Sequence, residues 1–348
     1  MNKFPINDKK RKISLTVYVI DDIINLVDEN IIKKGVNILK REQLRNNILV
    51  IGELTEKKVV RSNVGTNDEA ISLTLTVKTS EYEAHTISFF SYKYNMNENK
   101  QRLTSNNVSK MYLGYETVAN EYNAYLTTNV INKEEQPKIT NDKAELVEIT
   151  GNLRMNRYVN KEGKLVEIPQ LNGRFCSRLK DTNSNFGATW DCHMFIREVS
   201  DKEDITGAYT LIKGIVVDYT EEEYEFRIYN DKVRNTFNSK YSEREAANFM
   251  GKIVNRVEVA EEQSDEEDEW GTLDVTTRKV TTQKRYFELT RGDSKPMDTD
   301  DEEHPLSIEN ARVYKKNIKA KQEAIMKKHQ EAQTKTAFAS IDDEDAPF

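Results

Sequence analysis

The side chains with chemical potential in this sequence are rings and cations. The 348 residues include 16 Tyr, 12 Phe, 2 Trp and 52 Lys plus Arg, against 4 His and 2 Cys. Rings beside cations suit unpaired bases on a phosphate backbone. Each stacked base is worth about 1–3 kcal/mol, and phosphate contacts add a salt-dependent term. Two stretches concentrate these types. In the first, Lys57, Lys58 and Arg61 precede the run Ser88-Phe89-Phe90-Ser91-Tyr92-Lys93-Tyr94. Phe89, Tyr92, Lys93 and Tyr94 are the candidates there. Strand alternation puts Phe90, Tyr92 and Tyr94 on one face and Phe89 on the other, and one of these faces must be core. In the second stretch, Arg154, Arg157, Tyr158, Lys161, Arg174, Phe175 and Arg178 surround a hairpin, with Trp190 and Phe195 beyond it. Each ring also has a core reading. The basic hairpin residues do not, since a core cannot hold them unpaired.

Other chemistries lack their residues. There is no phosphate-binding Gly-x-x-x-x-Gly-Lys-Ser/Thr loop, no Gly-x-Ser-x-Gly elbow and no His-Glu-x-x-His pair. Cys192 and His193 are adjacent on a predicted strand and point to opposite faces, so they do not share a metal. The acidic run Asp300-Asp301-Glu302-Glu303-His304 would hold a hard cation only weakly. No catalytic residue, cofactor or metal ligand is assigned, and the chain is read as a non-enzyme.

The elements that must position these residues are mostly strands. Ile48 to Gly52, Ile71 to Val77 and Tyr82 to Tyr92 have period-two or short apolar patterns, the second alternating without a fault. Gly65 lies in the polar turn between the first two. Residues 105–125 read as helix or mixed, and 132–143 as a linker. Strands follow at Leu146 to Tyr158, Leu165 to Leu179, Thr189 to Val199, Tyr209 to Tyr219 and Glu223 to Tyr229, which is enough for a small Greek-key barrel. A short helix is expected at 241–250. Three more strands (Lys252 to Val259, Leu273 to Val280, Arg285 to Leu289) are expected around an acidic interruption. Residues 306–334 form a Lys-rich helix with few apolar positions. The N-terminus reads as a basic lead-in: a short strand from Ile13 to Ile20, then a helix from Asp21 to Arg45.

Charge is segregated. The runs Glu261 to Glu269, Asp298 to Glu303 and Asp342 to Asp345 hold sixteen carboxylates, and without them the net charge of −7 would be +9. Basic folded parts with separate acidic segments are typical of polyanion binders. No run of 18 apolar residues occurs, so no membrane span is expected. No signal-peptide pattern is present, and two cysteines fit a reducing cytoplasm.

The last residues are Ile341-Asp342-Asp343-Glu344-Asp345-Ala346-Pro347-Phe348. This segment resembles the acidic tip of bacterial and phage single-stranded-DNA-binding proteins, with Ala346 where that family has a larger aliphatic residue. The resemblance implies that Asp342, Asp343, Glu344, Asp345, Pro347 and Phe348 bind partner proteins. The carboxylates would steer the segment toward basic partners, and the ring and proline would seat in an apolar pocket rimmed by cations. The hairpin from Gly151-Asn152-Leu153-Arg154 through Tyr158 to Gly163 resembles the same family's arm. Ile51-Gly52-Glu53-Leu54-Thr55 resembles its first strand. The gap between these two patches exceeds the family's by several tens of residues. Either one barrel carries an insertion, or the arm opens a second barrel.

The second option is adopted. The expected fold is mainly β, with two OB-like five-stranded barrels, an N-terminal arm, a C-terminal helix and a disordered acidic tail. The expected divisions are a basic arm at 1–45, barrels at 46–135 and 145–292, an acidic loop and helix at 293–335, and the tail at 336–348. The expected function is to coat single-stranded DNA in replication or recombination, in a phage-like setting within the bacterial cytoplasm, and to recruit enzymes through the tip. The alternative is a non-enzymatic adaptor whose barrels bind protein. A nuclease or polymerase accessory enzyme is a third and weaker option.

Overall fold

The structure, a computed structural model, describes residues 44–96, 107–180, 185–204, 206–267, 273–302 and 304–339. The expected arm before residue 44 and the acidic segment after residue 339 lie outside the described residues.

Strands β1 (Asn46–Ser62), β2 (Ala70–Ser80) and β3 (Glu83–Tyr92) form an antiparallel meander. Its alternation is that of a half-buried sheet: Ile71, Leu73, Leu75 and Val77 are all 0 % exposed. Each such side chain contributes about 1.5–3 kcal/mol by leaving water. Helix α1 (Lys110–Glu121) follows, with Ser109 as its N-cap. Next come the short strands β4 (Leu126–Ile131), β5 (Glu134–Glu135) and β6 (Ile139–Thr140), with β4 parallel to the second half of β1. The chain returns as β7 (Leu146–Val159), antiparallel to the first half of β1, and β8 (Leu165–Arg178), parallel to β3. Since β7 and β8 are neighbours, the strands close in the order β1-β2-β3-β8-β7, a five-stranded Greek-key barrel of OB type.

The plan then repeats. β9 (Gly187–Asp204), β10 (Gly207–Val217) and β11 (Glu221–Ile228) form a meander, and helix α2 (Asp231–Lys240) follows. β12 (Ala246–Glu267) is antiparallel to β9, and β13 (Leu273–Gly292) pairs with β12 and lies parallel to β11. The protein is thus mainly β, with two OB-like barrels and a C-terminal helix, α3 (Ile308–Ala339). The barrels share a continuous core and join where β9 pairs with the first half of β1. Among the described residues no helix is long and apolar enough to cross a membrane.

Pairing corrects four expectations. The arm-like hairpin β7–β8 does not open the second barrel; it completes the first, and the chain from 93 to 145 is an insertion carrying α1 and β4. The barrels therefore run over 46–178 and 187–292 rather than 46–135 and 145–292. The short helix lies at Asp231–Lys240, not 241–250, because Asn230 caps it by accepting from the backbone of Lys232 and Val233. The acidic run does not interrupt the strands. It lies mostly within β12, whose register sets Glu261 against Lys279 and Glu262 against Arg278. Helix α3 reaches Ala339, past the point where the tail was expected to begin.

Two compact units result. One is Leu44–Asn156 with Ile168–Ala311, which holds both barrels. The other includes the hairpin tip Arg157–Glu167 and the part of α3 from Arg312 to Ala339. In the second unit, Glu167 accepts from Arg157 Nε (2.5 Å) and from Gln322 Nε2 (2.9 Å), tying the tip to α3.

Candidate nucleic-acid interface

The outward face of the first barrel is set by register. Inward-pointing residues of β1, β2 and β3 fill the core, so their neighbours face out. Two cross-strand rows on that face are Lys58–Thr74–Ser88 and Val60–Ser72–Phe90. Ser88 is paired in turn with Asn172 on β8. Two residues further along these parallel strands lie Phe90 and Arg174. The rows hold hydroxyls, a ring and a cation, and no carboxylate. Phe90 is 40 % exposed, and its ring meets that of Tyr92 edge-on at 4.9 Å. On β7, Arg154 is exposed on the same outward side as Asn152.

Several predicted residues serve the fold instead. Phe89 is 1 % exposed and packs edge-on against Tyr115, so the Phe89 face is the core face. Trp190 is also 1 % exposed, donates Nε1–H to the Glu288 carbonyl and packs on Phe226. Phe195 is buried as well. Lys57 is buried, and its ammonium donates to the carbonyls of Val118 (3.3 Å), Ala119 (2.6 Å) and Tyr122 (2.5 Å). It satisfies the orphan carbonyls at the end of α1, where a cation also suits the helix dipole. Burial, with the charges of Arg61 and Arg178, lowers its pKa to about 8. Arg61 makes a bidentate pair with Glu116 of α1 (2.8 and 2.7 Å). Lys93 donates to Glu69, which also accepts from Tyr112 Oη (2.8 Å) and the Gly65 amide. Burial pushes the Glu69 carboxyl up, but these bonds outweigh it and hold it below its ordinary value. Tyr94 is half-buried, bridged to Val108. Arg157 is buried and paired with Glu167.

Other predictions land at the surface. Lys58 and Lys161 are exposed, and Tyr158 is half-buried on the hairpin tip with Lys161. Phe175 follows Gly173 on the inward row but emerges at the barrel mouth, 68 % exposed. Gly173 is required beneath it, because a Cβ there would strike the Phe89 ring at 2.2 Å. Arg178 stacks over Tyr122 (4.4 Å), pairs with Glu145 and donates to the Glu121 carbonyl. Arg174 pairs with Asp218 at 3.4 Å.

Sequence reasoning missed a cluster on the second barrel. The Arg227 guanidinium lies 5.0 Å from the Tyr209 ring and 5.3 Å from the Tyr286 ring, and Tyr229 touches both rings. Alternation along β10 and β11 would have pointed to Tyr209, Arg227 and Tyr229. Arg227 and Tyr229 both bind Asp204. Burial raises the Tyr229 hydroxyl to about 12. Of the groups set aside, Cys192 is fully buried and His193 accepts from the Arg45 amide.

Fold and face together define a two-barrel OB protein whose first barrel carries rings and cations on its outward face. The chain belongs to the YorF family, whose model matches residues 45–331. No curated protein matches the sequence. Two solved structures it is similar to are single-stranded DNA binding proteins from Thermus aquaticus. One is a deletion mutant: 13 % identity over 74 % of this chain and 96 % of that one, TM-score 0.44. The other is the wild type: 12 % identity, covering 74 % and 95 %, TM-score 0.42.

Proposed function

We propose that the protein binds single-stranded DNA without sequence preference, through the outward face of the first barrel. The observation that supports this is the pair of carboxylate-free rows from Lys58 to Ser88 and from Val60 to Phe90, with the exposed Arg154 on the same side. Phe90 and Tyr92 offer ring edges and faces to bases, the hydroxyls accept any sequence, and the cations meet phosphates. The role is non-enzymatic: to cover unpaired strands during replication or recombination, in a phage-like setting in the bacterial cytoplasm. The acidic segment Ile341 to Phe348 recruits partner proteins. A labelled dT oligonucleotide titrated by anisotropy at several salt concentrations tests the reading. Binding should weaken with salt at a slope of about −0.7 per phosphate neutralised. Phe90→Ala should weaken it about 5- to 150-fold, the equivalent of 1–3 kcal/mol. An adaptor whose barrels bind protein would bind dT at no salt concentration.

A further inference from the structure

Beside the outward face of the first barrel stands a turn of the second. Asp218-Tyr219-Thr220 joins β10 to β11, closed by the Asp218 amide donating to the Thr220 carbonyl (3.0 Å). The Asp218 side chain is 9 % exposed. One of its oxygens accepts from three strands of the first barrel: Asn46 Nδ2 on β1 (3.3 Å), Asn152 Nδ2 on β7 (2.9 Å) and an Arg174 Nη on β8 (3.4 Å). Asn172 Nδ2 donates to Asn152 Oδ1 (2.9 Å) and extends the net along β8. A carboxylate this buried requires such partners, and here the partners fix the turn over β7 and β8. Tyr219, at the apex, is 75 % exposed, with the Arg174 guanidinium 5.8 Å from its centroid.

We propose that Tyr219 is a base-stacking residue of the first barrel's site, supplied by the second barrel, and that Asp218 is the residue that positions it. Arg174 and Phe90 lie at matching steps along the parallel pair β8 and β3, so a strand on this face meets Phe90 on one flank and Tyr219 on the other. The Arg174 guanidinium over the tyrosine ring reinforces stacking. A single strand would then engage both barrels at one place, and the contact between the barrels becomes part of the binding site. This inference rests on the single-strand reading above.

The test is anisotropy with a labelled dT oligonucleotide on the full chain, across a salt series. Tyr219→Ala should weaken binding about 5- to 150-fold. The salt slope should stay that of the native protein, because no cation is removed. Tyr219→Phe should bind within about twofold of native, since it keeps the ring. Asp218→Asn should weaken binding in the native background and add nothing when Tyr219 is already Ala. Native-like affinity of Tyr219→Ala at every salt concentration overturns the stacking role. Fully additive losses from Asp218→Asn and Tyr219→Ala overturn the positioning role. A native chain that binds no dT defeats the single-strand reading itself, and this inference falls with it.

Discussion

The two barrels are built on one register and finished on opposite principles. In the first, β3 and β8 pair Ile87 with Leu171 and Ser88 with Asn172; in the second, β11 and β13 pair Phe226 with Phe287 and Arg227 with Glu288. The crossing of the fourth strand over the fifth is the same as well. A Cβ on Gly151 would strike the Asn172 carbonyl at 2.0 Å, and one on Gly251 would strike the Glu288 carbonyl at 1.7 Å. Equivalent places therefore hold Ser88 and Arg227, Asn172 and Glu288, Phe90 and Tyr229. On the second barrel three outward cations already hold carboxylates: Lys213 with Glu198, Arg197 with Glu223, Arg227 with Asp204. On the first, hydroxyls and amides occupy the corresponding rows. A face whose cations already hold carboxylates gains little from phosphate, because each new contact must displace an existing one. The same fold thus gives one outward face with rows of hydroxyls, amides and rings and one crossed by ion pairs.

The largest effect should come from the shared cores. Phe89→Ala and Trp190→Ala should each cost about 3–5 kcal/mol in urea unfolding. If either variant kept native stability while losing DNA affinity, its ring would be a stacking platform after all. Next comes a proton. The inward place of His85 in the first barrel corresponds to Tyr224 in the second, two residues before the paired Ile87 and Phe226. Burial, with the charge of Arg285, lowers the His85 pKa from 6.5 to about 4. Between those values the unfolded chain binds more protons, so stability falls as pH drops from 6.5 toward 4. The loss is on the order of 3 kcal/mol. His85→Leu should flatten that dependence in urea midpoints measured from pH 4 to 7, and an unchanged dependence would assign it to other groups. The smallest effect separates the two faces. Lys58→Gln should reduce the salt slope of dT binding by about 0.7, whereas Lys213→Gln should leave it unchanged. Equal changes would erase the distinction between the barrels.

Much of the strand plan was legible because alternation is a local property. Ile71, Leu73, Leu75 and Val77 face inward as their spacing requires. The resemblance around Gly52 and Gly151 also marked real positions. Both are sites where a Cβ would strike a carbonyl of the neighbouring strand, Lys78 for Gly52 and Asn172 for Gly151, and the leucines two residues on, Leu54 and Leu153, are buried. The acidic run in β12 was not legible. Carboxylates are depleted in strands, and only the long backbone pairing of β12 with β13 carries the extended conformation through that run. The turn bearing Tyr219 was misplaced for a related reason: Tyr219 was expected to end a strand, with the next beginning at Glu223, yet Glu221 and Glu222 are already buried in β11.

The sequence by itself determined the class of structure and the supply of rings and cations, because periodicity and composition need no knowledge of distant neighbours. Only the tertiary structure decided how those residues are used. Phe89 and Phe90 are adjacent and identical in chemistry, and closure of the barrel alone sends one into the core and the other to the surface. Lys57 and Lys58 differ in the same way: one meets the end of a helix some sixty residues away, the other meets solvent. Which side of a strand is inside depends on contacts between parts of the chain that the local pattern does not record.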